Sequence, residues 1–278
     1  MLVPQKPNSE RLTKVTTMRL NHHSSQIYPY YQHSLNELIL ILEQKDAGFM
    51  PQAGFQSGEN ALGGNYDPSK NSEDLSPVDT LDRELREEFW MSEEPADSLA
   101  ELLGANIAGT EGSVKTNLPD KATIHKIRAM GELLRSGPEY VGSVKTNFPD
   151  DFLKKGRPAL NVGQSLFTKR LTHGEFIFIQ ELIGDLNGKL TPDNYRFGSR
   201  VSIISPQEID GTNIRSAYGN HLVLYWLFNH GKLHGKKPTQ PAGPITVETL
   251  DYSLITDLTP SGCPTYAGII NIGYSFEK

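Results

Sequence analysis

Apolar positions along the chain change period several times, and each change marks an element. Glu37-Leu38-Ile39-Leu40-Ile41-Leu42-Glu43 is a short continuous apolar run that ends at Asp46 and Gly48, the pattern of a strand buried on both faces. Residues 46 to 76 are rich in Gly, Asn, Ser, Asp and Pro, which predicts a loop. Val78, Leu81, Leu85 and Phe89 then recur at helical spacing. Ser76 stands as the N-cap of that helix, Pro77 at its first position and Asp79 in its first turn, where a carboxylate suits the positive end of the dipole. The spacing predicts a helix over 77–90, another within Ser92 to Leu103, and a third across Ala122 to Arg135 on the period of Ile124, Ile127, Met130 and Leu134.

Further along, Ser165 to Leu171 and Glu175 to Ile183 flank Thr172-His173-Gly174 and predict a hairpin, the second strand carrying Phe176 and Phe178. Asp185 to Gly188 reads as a turn and Arg200 to Ile204 as a strand, and Ser205-Pro206-Gln207-Glu208 carries the signals that open a short helix. Tyr218 to Phe228 is strongly apolar and predicts a helix packed on the sheet. Asn229 to Pro244 is a basic Gly/Pro linker, and residues 245 to 276 alternate like two added strands. The first 34 residues, with Pro4, Pro7 and the His22-His23 pair, predict an irregular lead-in.

With 278 residues, a formal charge of -6 and 22% charged residues, the chain suits one large domain or a core domain with extensions. No apolar stretch is long enough for a membrane helix, and Lys6, Glu10, Arg11, Lys14 and Arg19 leave no apolar core for a signal peptide. One cysteine, Cys263, excludes an intramolecular disulfide and a cysteine zinc cluster, so a reducing, cytoplasmic setting is expected. The acidic balance argues against a general grip on nucleic acid, which needs a basic face.

The chemistry-bearing feature is Arg83-Glu84-Leu85-Arg86-Glu87-Glu88. On a helix, Glu84, Glu87 and Glu88 stand at i, i+3 and i+4 and project carboxylates into one patch that suits a hard divalent cation. A run of this kind alone is more often a solvated face with i, i+4 ion pairs, Arg83 to Glu87 for example. Upstream, Gly63-Gly64 stands in the frame Leu-Gly-Gly-Asn. A Gly-Gly segment after a strand and before a capped acidic helix tips the balance away from that bland reading.

These residues and the order of elements resemble the Nudix hydrolase family, whose signature is G-x5-E-x7-R-E-U-x-E-E-x-G-U with U a bulky aliphatic. Arg83 to Glu88 matches the second half, Gly64 takes the leading glycine, and the likeness spans about residues 37 to 230. The stretch between Gly64 and Arg83 is five residues longer than the pattern, with Glu73 or Asp74 as counterparts of the first glutamate, and Trp90 stands in place of the family's glycine. The resemblance implies an α/β fold of the α+β kind, an α/β/α sandwich around a mixed sheet. It would occupy residues 35–230, with a long insertion at about 92–164 and a linker and C-terminal strand pair over 231–278. It also implies a Mg2+- or Mn2+-dependent hydrolase that cleaves the pyrophosphate linkage of a nucleoside diphosphate joined to another group. Glu84, Glu87 and Glu88 would be the metal ligands, Glu84 or Glu87 the base, Arg83 the orienting group and Gly63-Gly64 the close-approaching backbone. A fourth acid would come from Glu175, Glu181 or Asp193. The alternative is a Nudix-like module that binds or regulates through a nucleotide without cleaving it. The substrate-binding residues and the oligomeric state stay open, a homodimer being one option.

Gly112 to Asp120 returns as Gly142 to Asp150 with only Leu118 changed, to Phe148. Lys115/Lys145 and Asn117/Asn147 would suit a phosphate or base grip, but two similar strand-turn pieces in a surface insertion are the simpler expectation. Such an insertion would also suit a partner chain. His230 and His234 lie four apart beside Gly231 and Gly235, which fits a solvated linker better than a zinc site.

Overall fold

The computed structural model describes residues 16–19, 22–45, 58–66, 76–91, 120–147, 162–186, 201–209, 220–240, 246–250, 255–258, 264–268 and 271–275. Its elements are β1 (Thr16–Arg19), β2 (His22–Gln32), β3 (Leu38–Lys45), β4 (Gly58–Asn60), β5 (Leu62–Asn65), α1 (Pro77–Glu88), α2 (Lys121–Arg135), β6 (Glu139–Asn147), β7 (Val162–Leu171), α3 (His173–Leu186), β8 (Val201–Ile204), a 3-10 turn at Pro206–Glu208, α4 (Asn220–Asn229), β9 (Thr246–Leu250), β10 (Ile255–Leu258), β11 (Pro264–Gly268) and β12 (Asn271–Ser275).

The chain is a mixed α/β protein built on a nine-stranded sheet, ordered β12-β9-β6-β7-β2-β3-β4 with β5 added to β2 and β8 to β3. β2 and β7 pair in parallel from His22↔Val162 to Tyr31↔Leu171, whereas the other pairs are antiparallel, so the sheet is mixed. β1, β10 and β11 form a separate three-stranded sheet. β2 pairs first with β5 (Ser24 to Ile27) and then with β3 (Tyr30 to Gln32), and β3 in turn takes β4 beyond its contact with β2. The segment 58–65 therefore wedges between two diverging strands.

Alternation along the strands sends successive side chains to opposite faces. Ile27, Ile41 and Phe167 join a core with Leu81 and Leu85 of α1, Ile124, Ile127 and Met130 of α2, and Phe176 and Ile179 of α3. Their neighbours Tyr28, Leu40 and Leu166 join a second core with Leu222, Val223 and Trp226 of α4. Helices thus cover both faces of the sheet.

Several expectations need correction. Residues 22–32, assigned to an irregular lead-in over 1–34, form the central strand β2. Its polar start, His22 to Gln26, hid it, because a strand whose buried positions are polar shows no apolar period. Gly63 and Gly64 lie in a strand, not in a loop over 46–76. The second arm of the predicted hairpin is helix α3, with Phe176, Ile179, Leu182 and Leu186 buried at helical spacing. Thr172 caps it, its hydroxyl accepting from the Glu175 N–H while Glu175 accepts from the Thr172 N–H, a reciprocal capping box. Where it is described, the interval 92–164 supplies α2 and, within the sheet, β6 and the start of β7. The sheet also crosses both limits of 35–230, through β2 and β9, and the C-terminal region contributes four strands instead of two. Val78 is 53% exposed and leaves the stripe of α1 to Leu81, Leu85 and Phe89. The helices predicted at 77–90, 122–135 and 218–228 are present as α1, α2 and α4. The helix expected within 92–103, the residues Asp193 and Cys263, and the first repeat copy up to Pro119 lie outside the described residues.

Candidate carboxylate and glycine site

α1 begins as its sequence dictates. Ser76 is extended, its hydroxyl accepts from the Asp79 N–H at 3.3 Å, and Pro77 follows at the first turn. Its end is less ordinary. The Phe89 N–H donates to Leu85 O and the Met91 N–H to Arg86 O at 2.9 Å, the six-to-one bond of a Schellman end. That motif needs a left-handed residue between them, and Trp90 takes it at φ 50° although it is not glycine. Arg128 of α2 donates to the Trp90 carbonyl at 2.7 Å and Arg135 of α2 reaches Asp82 at 2.5 Å, so α2 clamps α1 at two points.

Held in this way, α1 lies across β5. The Gly63 N–H donates to the Glu88 carboxylate at 3.3 Å. A Cβ on Gly64 would sit 2.1 Å from Glu84 Oε2, so only glycine admits that carboxylate against the strand. Arg83 completes the cluster: its guanidinium donates to the Asn65 carbonyl at 2.5 Å and lies 2.9 Å from Glu84 Oε1 and 3.3 Å from Glu87 Oε2. Arg83, Glu84 and Glu88 are buried, whereas the Glu87 side chain is 42% exposed. A solvated helix face therefore does not describe Glu84 and Glu88, whereas it does describe Glu87 and its neighbour Arg86.

The structure thus gathers Gly63, Gly64, Arg83, Glu84 and Glu88 and leaves Glu87 at the rim. Among the described residues, no three His, Cys, Asp or Glu side chains converge in a group that could hold a metal ion. Two acids meet the glycine strand and the third stands apart. Of the fourth-acid candidates, Glu175 caps α3 and Glu181 is exposed on α3. Glu175 is held below the ordinary carboxylate value: burial opposes its ionisation, but the Thr172 N–H and hydroxyl and the charge of Lys169 outweigh it. Lys145 of the second repeat copy lies in β6, 3.8 Å from Glu248 of β9. His230 Nδ1 donates to the Trp226 carbonyl at 2.9 Å and its ring stacks on the Trp226 ring, a helix-end contact that does not involve His234.

Sequence reasoning missed a polar group beside these residues. His23 Nε2 lies 3.2 Å from Ser165 Oγ, Ser165 Oγ 3.0 Å from Ser143 Oγ, and Ser143 Oγ 2.9 Å from Tyr140 OH. The only signal for it was polar residues at alternate positions of extended segments, and strand pairing alone brings them together. Compared with known proteins, the chain matches no family model and no curated protein.

Proposed function

We propose that the chain is a Nudix-type hydrolase that cleaves the pyrophosphate linkage of a nucleoside diphosphate joined to another group, with Mg2+ or Mn2+. The observation that carries this reading is the docking of the acidic helix on the glycine strand, Glu84 against Gly64 and Glu88 on the Gly63 N–H. The left-handed backbone at Trp90, the position of the signature's late glycine, supports the same alignment of the motif.

The donor chemistry would suit a hard cation, although only two of the three acids meet the glycine strand. The donors are carboxylate oxygens beside a backbone that lacks a Cβ, and Mg2+ takes oxygen ligands from few protein groups. Glu84 and Glu88 would hold the metal, with Glu87 at the open side. A bound divalent ion would supply neutralisation of phosphate charge and acidification of water. The chain's own part is positioning: Arg83 fixes the Glu84 carboxylate, and the Gly63 N–H fixes that of Glu88. Glu87, exposed and paired with Arg83, would be the base that takes a proton from water.

A nucleotide-binding module without hydrolysis is the second reading. Its support is the stretched segment between Gly64 and Arg83 and the engagement of Glu84 and Glu88 by Arg83 and Gly63. Incubation with ADP-ribose, nucleotide sugars and dinucleotides, with and without Mg2+ or Mn2+ and with products read by mass, decides between them. Hydrolysis requires metal-dependent cleavage at the pyrophosphate. Glu87→Gln should then lower turnover by about 10²-fold or more with stability within about 0.5 kcal/mol of the parent. Glu88→Gln should lower turnover and also cost about 1 kcal/mol, since it weakens the bond from Gly63. Ligand-induced thermal stabilisation with no product would favour the binding module, and wild-type turnover in both variants would remove the metal assignment.

A further inference from the structure

His230-Gly231-Lys232 returns at once as His234-Gly235-Lys236, with Leu233 between the two copies and Lys237 after them. No Asp or Glu occurs from Gly211 to Val247, in a chain that carries 33 of them, so the double copy is a basic island on an acidic protein. Both glycines are left-handed, Gly231 at φ 64° and Gly235 at φ 136°, which makes each copy a tight turn. The first turn closes α4: the Gly231 N–H donates to Phe228 O at 3.2 Å and the Lys232 N–H to Leu227 O at 2.9 Å. Leu233, 2% exposed, pins the chain between the turns. The second turn is tied to two other elements. The Lys236 N–H donates to Asn36 O between β2 and β3, and Gln207 Nε2 of the 3-10 turn donates to Lys236 O at 2.8 Å.

Tertiary contacts gather the cationic side chains at the first turn. The His234 ring comes back over Gly231, its Cε1 3.8 Å from where a Cβ on that glycine would stand. Lys237 Nζ returns to the end of α4 and donates to Asn229 Oδ1 at 2.6 Å. Lys232 belongs to the turn itself, and Lys232, His234, Lys236 and Lys237 are all exposed. Lysines at a helix C-terminus commonly complement its negative end. In α4 the last carbonyls, Trp226, Leu227 and Phe228, are already taken up by the N–H groups of residues 230–233 and by the His230 ring. Nor are the charges neutralised, since among the described residues none of the three lysines stands in an ion pair. The acids on the neighbouring elements serve their own turns, Glu37 accepting from Ser34 Oγ and Glu208 from the Ser205 N–H.

We propose that this double turn is a surface site for a compact, multiply charged phosphate anion, separate from the carboxylate site. Lysine ammonium groups suit phosphate as point charges, and an imidazole adds a directional donor. The size of the ligand follows from the surroundings. A long polyanion laid over the loop would run on to Glu37 and Glu208 and into the field of a chain of net charge -6, whereas a compact one stays on the island. Separation from Glu84 and Glu88 is set by the fold. α4 covers the sheet face opposite α1, and Asn36 lies beyond the end of β2 at Gln32, about 23 Å along the strand from the Ser25 that pairs with Gly64.

Isothermal titration of the whole chain with tripolyphosphate tests it, in EDTA so that no divalent ion bridges phosphate to the carboxylates. The wild type should bind, and more weakly as salt rises. Lys232→Gln, His234→Gln and Lys237→Gln should each lower the affinity about 2- to 5-fold, the range of one exposed charge pair, and the triple variant about 10-fold or more. Lys232→Arg should keep the affinity, as should Lys121→Gln, which removes an exposed charge on α2. The melting temperature of each variant checks that the fold is kept. No binding by the wild type, a triple variant that binds like the wild type, or an equal loss in Lys121→Gln overturns the site. Tighter binding of a single-stranded oligonucleotide than of tripolyphosphate overturns the compact ligand in favour of a nucleic-acid strand. With no metal present, each outcome stands whether or not the chain hydrolyses pyrophosphates.

Discussion

Gly64→Ala isolates the contact between the glycine strand and the acidic helix. The new Cβ would lie 2.1 Å from Glu84 Oε2, 2.4 Å from its Cδ and 2.8 Å from Oε1, so strand or carboxylate must move. A mobile glutamate would swing aside at little cost. Glu84 is not mobile: it is 5% exposed and pairs with Arg83, whose guanidinium is in turn bound to the Asn65 carbonyl on the same strand. Pushing the carboxylate away thus strains a pair anchored to the element that carries the added methyl. Overpacking of this kind costs about 1–3 kcal/mol, and about 2 kcal/mol lowers the melting temperature of a chain this size by about 4–8 °C. At Gly63 the obstacle is different, since its Cβ would meet the Ser25 carbonyl oxygen at 2.3 Å and its φ is +112°. Backbone cannot step aside there, so Gly63→Ala should cost more. Gly137→Ala meets nothing within 4 Å at φ +66° and should cost only the left-handed strain, about 1–2 kcal/mol. Urea unfolding of Gly64→Ala, Glu84→Ala and the double variant measures the coupling directly. Because Glu84 is the group struck, the double-mutant cycle should show at least about 1 kcal/mol of interaction. A Gly64→Ala cost that is the same with and without the Glu84 side chain would refute the reasoning.

Trp90→Gly sets two effects against each other. Relief of the left-handed backbone is worth about 1–2 kcal/mol, while removing a large buried aromatic side chain costs about 3–5 kcal/mol. Burial should win by about 1–4 kcal/mol in urea unfolding, and a more stable variant would show that the indole contributes little to the core. Glu175 gives a pH dependence. Its folded pKa lies below the ordinary 4.5, so its contribution is present above that value and is lost as pH falls through the folded pKa. Thermal melts from pH 6 downward should therefore show the wild type and Glu175→Gln converging in acid; a constant difference would mean that the α3 cap does not depend on charge.

Much of the fold was legible because local chemistry and tertiary packing agree. Ser76-Pro77 and the Leu81, Leu85, Phe89 stripe specified α1, and the apolar run of β3 could hardly be anything but a buried strand. The failures have physical causes. β2 was missed because Ser24, Ser25 and Gln26 are buried by neighbouring strands, and nothing local announces that. α3 was misread because Phe176 and Phe178 alternate over three residues, although the helical spacing of Phe176, Ile179, Leu182 and Leu186 continues for three turns. At the candidate site, the identity of the acids was legible and their geometry was not. The sequence placed Glu84, Glu87 and Glu88 on one patch, whereas β5 selects Glu84 and Glu88 and leaves Glu87 outside. The polar group of His23, Ser165, Ser143 and Tyr140 was invisible for a deeper reason, since it exists only after three strands pair.

The parallel pairing of β2 with β7 also sets a timetable. His23 and Ser165 touch across 142 residues of sequence, and the central strands cannot join until both are available. At about 5–20 residues per second, a ribosome needs roughly 7–30 s to make the intervening chain. Throughout that interval β2 has no parallel neighbour, and β3 and β5 are the partners it can reach sooner. Long-range closure of this kind slows folding and leaves strand edges uncovered, so the yield of native protein should depend on what shields residues 22–32 while the chain is being made.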